Sequence, residues 1–261
     1  MHRRHFVQLA AGALAAAAIG PALAQAGSAL PPALRGRRTP QGLPSAGRIA
    51  TRADEALGLL LAPPYVRQGN GPVVTVAGYA GCPYMAAFHR DFGTRGDGVE
   101  THFFPQPLGG DDSAESQARV TTNMVSLLLH PTPQNLSLYL DGRLPPYVPR
   151  LREEHEYTSS IMRALSGAGR KPATKPTPDE PMTREQFLTM WDELHRKQLG
   201  SFLLLAEILS QNGLSPSSTQ MASPSFFWVR DGALLYANGY TSSPEQRARI
   251  AAIFASARGE A

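Results

Sequence analysis

Apolar positions along the chain fall into short continuous runs and longer stretches of helical spacing. Val73–Ala77 is a β-branched run suited to a buried strand. Met85–Phe92 changes to helical spacing, and Cys82-Pro83 puts proline in a first helical turn, so a helix is predicted to begin at Cys82. Val99–Phe104 alternates and reads as a second strand. Asp112-Ser113 followed by Glu115 is a helix-start signal, and that helix should run to about Leu129, with Pro131 as its stop. Residues 149–165 have helical spacing again, and residues 166–182, with four prolines and little apolar content, read as an internal loop. Thr183 with Gln186 forms a capping box opening a long amphipathic stretch through Phe187, Trp191, Leu194, Leu199, Phe202, Leu205 and Leu209, which Asn212-Gly213 ends. Ser225–Val229 and Ala233–Tyr236 are strands joined by the hairpin signal Asp231-Gly232. Ser243-Pro244 with Gln246 caps a last helix reaching about Ala257. The order predicts an α/β fold: one mixed sheet flanked by helices, with a helical insertion over about 111–213.

The pattern before the first strand differs. A basic start, Met1–Phe6, precedes an Ala-rich apolar run from Val7 to about Ile19 and the small-residue triplets Ala22–Ala24 and Ala24–Ala26. This is the layout of a signal peptide over 1–26, which places the mature protein in the periplasm or otherwise outside the cytoplasm. Arg3-Arg4 and Phe6 resemble a twin-arginine signal. The run is short for a spanning helix and is broken by Gly20-Pro21, so an uncleaved anchor is the alternative to cleavage, and no stable membrane insertion is expected afterwards. Residues 27–70 read as a flexible tether, rich in Pro, Gly, Arg and Ser, plus a short amphipathic helix over 51–61. The core domain is then 71–261.

Charge adds an exclusion. Arg3 and Arg4 supply two of the four net positive charges, and no Lys/Arg block interleaves with aromatics, so nucleic acid is not an expected partner. The single cysteine, Cys82, rules out an intramolecular disulfide and any multi-cysteine zinc site. The plain reading of such a residue is a small buried apolar side chain. Its position argues otherwise, because backbone N–H groups at a helix start stabilise a thiolate. His102, His130, His155 and His195 show no ligand spacing, and Glu153-Glu154 with His155 reads as a solvated helix face. Neither a nucleophile elbow nor a phosphate-binding glycine loop is present in the sequence.

Gly81-Cys82-Pro83-Tyr84-Met85, ahead of Ala86, Ala87 and Phe88, resembles the Cys-Pro-Tyr-Cys segment of periplasmic disulfide isomerases of the DsbC/DsbG type. Ala222-Ser223-Pro224-Ser225-Phe226 resembles that family's small residue before a cis-proline entering the sheet. The resemblance covers roughly residues 72–258 and implies a thioredoxin fold. It implies that Cys82 is an exposed nucleophile, that Pro83 and Tyr84 form the motif interior, and that Ser223 and a cis Pro224 lie beside the thiol and bind the substrate chain. Met85 stands where the family has its second cysteine. The stretch before the first core strand is short for the family's N-terminal dimerisation domain and linker helix.

One thiol cannot close a dithiol cycle. It can attack a substrate disulfide, hold a mixed disulfide and be released by another thiol, or reduce a sulfenic acid with an external thiol finishing the turnover. The expected partners are therefore protein substrates with cysteines or an external thiol reductant, with no cofactor. A second class is a redox-inactive thioredoxin-like binding or assembly module using the groove near Pro224. A third is a copper(I) site in which Cys82, Met85 and His89, at i, i+3 and i+7, share a helix face and Met221 approaches from the proline loop.

Overall fold

The computed structural model describes residues 30–62, 65–93, 97–109, 113–152 and 181–260. The leader expected over 1–26, most of the helix expected over 149–165, most of the loop expected over 166–182, and Glu153, Glu154 and His155 lie outside them.

Among the described residues six strands form one sheet: β1 (Ala46–Arg48), β2 (Val66–Gly69), β3 (Val73–Gly78), β4 (Glu100–Pro105), β5 (Ser225–Arg230) and β6 (Ala233–Asn238). Their order is β1-β6-β5-β3-β4-β2. Only β3 and β4 are parallel, and helix α2 (Pro83–Phe92) makes the crossover between them. Val76 of β3 faces Phe103 on one side and Phe226 on the other, so β3 is paired along both edges. Asp231 and Gly232, both at positive φ, turn β5 into β6 with the geometry that favours a tight hairpin.

Alternation along the strands divides the apolar residues between two faces. Val74, Val76, Phe103, Phe226, Trp228 and Leu235 join the core under α2, α4 (Pro133–Leu140), α6 (Pro244–Ala257) and the C-terminal half of α3 (Ala114–Leu129). Ala77, Phe104, Phe227 and Tyr236 join the core under α1 (Ala53–Leu61) and the C-terminal half of α5 (Arg184–Gln211). The result is three layers: the mixed sheet with flanking helices that the element order predicts, consistent with the thioredoxin-like fold that the resemblance implies, and α3, α4 and α5 form the helical insertion between β4 and β5.

The caps explain the helix starts. Ser113, Thr132, Thr183 and Ser243 each accept a hydrogen bond from the N–H three residues on, and Thr183 with Gln186 completes a reciprocal capping box. Asn212 ends α5 and accepts from the N–H groups of Ala50 and Thr51, both at 2.9 Å, which fixes the approach to α1. Among the described residues no helix is long and apolar enough to cross a membrane.

Residues 30–48 correct the expectation of a tether. Leu34 is buried in the core, β1 pairs with β6, and the buried side chain of Arg249 on α6 donates to the Ser45 carbonyl at 2.8 Å. The segment is held by backbone pairing, by the burial of Leu34 and by two cations, Arg249 against Ser45 and Arg37 against Glu245, so few of its residues are apolar and its composition reads as linker. Burial, with Arg37 nearby, pushes the Arg249 guanidinium down to about 10, so it is still charged at neutral pH. At the far end of α2, Asp91 accepts from the Tyr240 hydroxyl at 2.5 Å and from Arg247 at 3.2 Å, tying this helix to the entry of α6.

Two predictions follow from these ties. Replacing Arg249 by Leu keeps the bulk but removes a charged hydrogen bond, so residues 30–48 should lose about 2 kcal/mol of local stability. Hydrogen exchange should accelerate at the amides of Ser45 and Ile49 and not at Val76; no change at Ser45 would show that Arg249 holds nothing. The Tyr240 hydrogen bond, reinforced by Arg247, keeps the Asp91 carboxyl below its ordinary value. A depressed folded value gives stability that is present above the unfolded pKa of about 3.9 and lost as pH falls through the folded one. The urea midpoints of wild type and Asp91→Asn should therefore differ at neutral pH and converge below about pH 4; a constant gap would remove this role from Asp91.

Candidate functional site

Two chain segments meet at the C-terminal end of β3. The first runs from β3 through Tyr79-Ala80-Gly81 into α2, with Cys82 as the N-cap residue and Pro83 in the first turn. Gly81 has φ +72°, in the left-handed region that favours glycine, and the Cys82 N–H closes a turn onto the Tyr79 carbonyl at 3.3 Å. The second is the loop before β5, where Ala77 pairs with Ser225 and the Ser223–Pro224 peptide is cis. The Cys82 thiol donates to the Ser223 carbonyl across 3.6 Å. The expected pairing of Cys82 with Ser223 and a cis Pro224 is thus present in space.

The loop is braced from behind. Buried Gln106 donates through Nε2 to the Ala222 carbonyl at 3.0 Å, and the Ser225 hydroxyl donates to the same carbonyl at 2.7 Å. The Gly239 N–H takes the Pro224 carbonyl at 2.8 Å. With those carbonyls held, that of Ser223 is presented to the sulfur.

Met85 lies one turn beyond Cys82 and is buried against the end of β3, where a Cβ at Gly78 would overlap its side chain. The absence of a side chain at Gly78 is what makes room for the thioether. The Ser223 hydroxyl is buried in this corner without a hydrogen-bond partner among the described residues.

The exposure expected for Cys82 is not found: the residue is 0% exposed, while Pro83 and Tyr84 are exposed, the latter by 52%. The turn after α4 is packed onto the residue before the cysteine. The Gly81 N–H donates to the Tyr139 carbonyl at 3.2 Å, and a Cβ at Gly142 would stand 3.1 Å from the Gly81 Cα. Two glycines at positive φ therefore let two backbones touch beside the thiol. Tyr139 is wholly buried next to Cys82. The sequence carries a signal for α4 that its reading passes over: Thr132-Pro133 as cap and first turn, then Leu136, Tyr139 and Leu140 at helical spacing. Which element α4 covers has no local signal.

Of the residues of the copper(I) arrangement, the structure separates Met221 from the rest. Cys82 and Met85 belong to the core on one face of the sheet, and Met221 packs into the core on the other. The His89 imidazole is pushed below its ordinary value by burial, against the opposing pull of Asp141, and its Nε2 has no partner among the described residues. Those residues also hold no cluster of three or more His, Cys, Asp or Glu suited to a metal. His102 is instead a buried residue of the inner strand β4, 2.5 Å from Glu100 and stacked on Tyr65.

Two clefts adjoin the loop before Cys82, and Tyr79 lines both. One, of about 500 Å³, also has Gln106, Phe202, Thr219 and Met221 in its walls. The other, of about 300 Å³, is lined by Gly81, Ser116, Arg119, Asn123 and Gly142. No family model matches the chain, and no curated protein matches it in sequence.

The cover over Cys82 makes a kinetic prediction. The thiol of the folded protein should alkylate at least about tenfold more slowly than that of the unfolded chain, because reaction waits on a local opening. Gly142→Ala puts a side chain at φ +68° against Gly81 and costs the covered state about 1–2 kcal/mol. Native alkylation should then speed up by about tenfold, measured by mass spectrometry at matched thermal stability. An unchanged rate would show that this turn is not the cover.

Proposed function

We propose that this chain is an exported monothiol thioredoxin-like protein, akin to the DsbC/DsbG isomerases, that acts on protein disulfides or oxidised cysteines through Cys82. The observation that carries the reading is the seat of the sulfur: the N-cap of α2, 3.6 Å from the carbonyl that precedes a cis-proline. A sulfur there faces the N–H groups of a helix start, which favour the thiolate. Beside it lies the loop whose backbone, in the family this chain resembles, pairs with the substrate chain.

The chemistry balances without a second sulfur. The Cys82 thiolate attacks one sulfur of a substrate disulfide, a new S–S bond forms, and the other substrate sulfur leaves as a thiolate. A different substrate thiolate then attacks the mixed disulfide and returns Cys82, so the substrate is rearranged with no net oxidation. With a sulfenic acid, Cys82 displaces water, and an external thiol must reduce the resulting disulfide. Met85 cannot perform the release, so the mixed disulfide persists until such a thiol arrives.

Full burial of Cys82 favours a second reading, a binding or assembly module that holds partners near Pro224 without exchange. Non-reducing electrophoresis of wild type, Cys82→Ser and Met85→Cys, each exposed to disulfide-containing protein substrates, separates the two. The thiol reading expects reducible adducts with wild type and none with Cys82→Ser. It also expects fewer adducts with Met85→Cys, which gains an internal escape route. Absence of wild-type adducts, with partners still co-purifying with Cys82→Ser, would sink the thiol reading in favour of the module.

A further inference from the structure

We propose that the cleft of about 300 Å³ between α3 and the turn after α4 is a carboxylate subsite, which receives an acidic residue flanking the cysteine of a substrate protein. The inference rests on the thiol reading and deepens it, because it names the kind of chain that Cys82 meets.

The site is built on one helix face. Ser116, Arg119 and Asn123 stand at i, i+3 and i+7 along α3, and all three line the cleft. Ser116 and Asn123 are buried, at 4% and 5% exposure, and Arg119 is exposed. Among the described residues none of these three side chains has a hydrogen-bond or ion-pair partner. A buried amide left unpaired is costly, so Asn123 lacks here what a polar ligand would supply. The opposite wall is made by Tyr79, Ala80, Gly81 and Gly142. Its backbone N–H groups are spent: Gly81 and Gly142 donate to the Tyr139 carbonyl. The donors open to the cleft are therefore the guanidinium, the Asn123 amide and the Ser116 hydroxyl.

Those donors select the ligand. Three donor groups line the cleft and no acidic side chain is in its wall, so the complement is an acceptor with negative charge. Asp141, next to Gly142, is taken by Arg143 at 2.6 Å. One cation balances one charge, which fits a carboxylate better than a phosphate carrying nearly two. The volume lies at the lower end of ligand clefts, roughly 300–1,000 Å³, and suits a side chain. Position ties the cleft to the thiol. Gly81 is in its wall and is bonded to Cys82, and neighbouring Cα atoms are about 3.8 Å apart. A carboxylate seated there belongs to a residue close in sequence to the substrate cysteine.

Two arms test the subsite apart from the thiol. The first uses no sulfur. Acetyl-Glu-Ser-amide, its Gln analogue and succinate are titrated into the wild-type protein, and the Asn123 side-chain amide is followed by nuclear magnetic resonance. The Glu peptide should bind about fivefold more tightly than the Gln peptide, and Arg119→Gln should erase the difference. Arg119 is exposed, so its substitution leaves the core intact. Succinate weaker than the Glu peptide supports a protein chain as the source of the carboxylate; succinate equal to it or tighter overturns that source in favour of a free small acid. The second arm times adduct formation by Cys82 with disulfide-linked peptides, one peptide thiolate leaving, that carry Glu, Gln or Lys beside the cysteine. Glu should lead Gln by about fivefold in wild type, and Arg119→Glu should hand the lead to Lys. No charge preference in the first arm overturns the subsite and leaves a cleft that holds only water. Adducts without charge preference remove the subsite and leave the thiol reading standing. Charge-selective binding with no adduct keeps the subsite and removes the thiol reading.

Discussion

Strand β3 has partners on both edges, parallel β4 and antiparallel β5, and it must satisfy both within six residues. A parallel neighbour requires a crossover, so the chain leaves β3 into α2 and returns as β4. An antiparallel neighbour that begins where β3 ends brings the loop before β5 to the same point. Cys82 and Ser223 are 141 positions apart, yet these two pairings leave them little choice but to meet. The braces on the loop from Gln106, Ser225 and Gly239 then decide which carbonyl is left to face the sulfur.

The same constraint shows what the sequence could and could not disclose. Elements with local signals were legible: the capping box at Thr183, the Asp231-Gly232 turn, the proline in the first turn of α2, and the β-branched run of β3. The convergence of Cys82 with Ser223 and Pro224 was legible only through likeness to a family, since no spacing rule joins such distant residues. Strands β1 and β2 were missed because Ala46–Arg48 and Val66–Gly69 have almost no intrinsic strand character; their neighbours impose it. The burial of Cys82 was missed for a related reason. It depends on Gly142 lying against Gly81, a contact that two isolated glycines do not announce.

The corner around Met85 is a joint solution of two positions. A thioether is longer than a thiol, and it fits because Gly78 contributes no side chain at the end of β3. A smaller residue at Met85 opens a void beside Gly78, and any growth at Gly78 evicts Met85. The two positions are coupled, and packing here constrains the chemistry as firmly as the backbone does.

The docking of residues 30–48 by Arg249 has a consequence beyond the stability of that segment. Strand β6, Ala-Leu-Leu-Tyr-Ala-Asn, is buried at every position, and β1 is the cover on its outer side. With β1 in place the sheet ends in three residues that finish on Arg48, a poor template for another chain. With β1 lifted away, β6 becomes a six-residue apolar border with unpaired backbone groups, the kind of edge on which another strand can pair. The guanidinium buried against Ser45 is thus one of the ties that keep the sheet ended at a short, blunt strand.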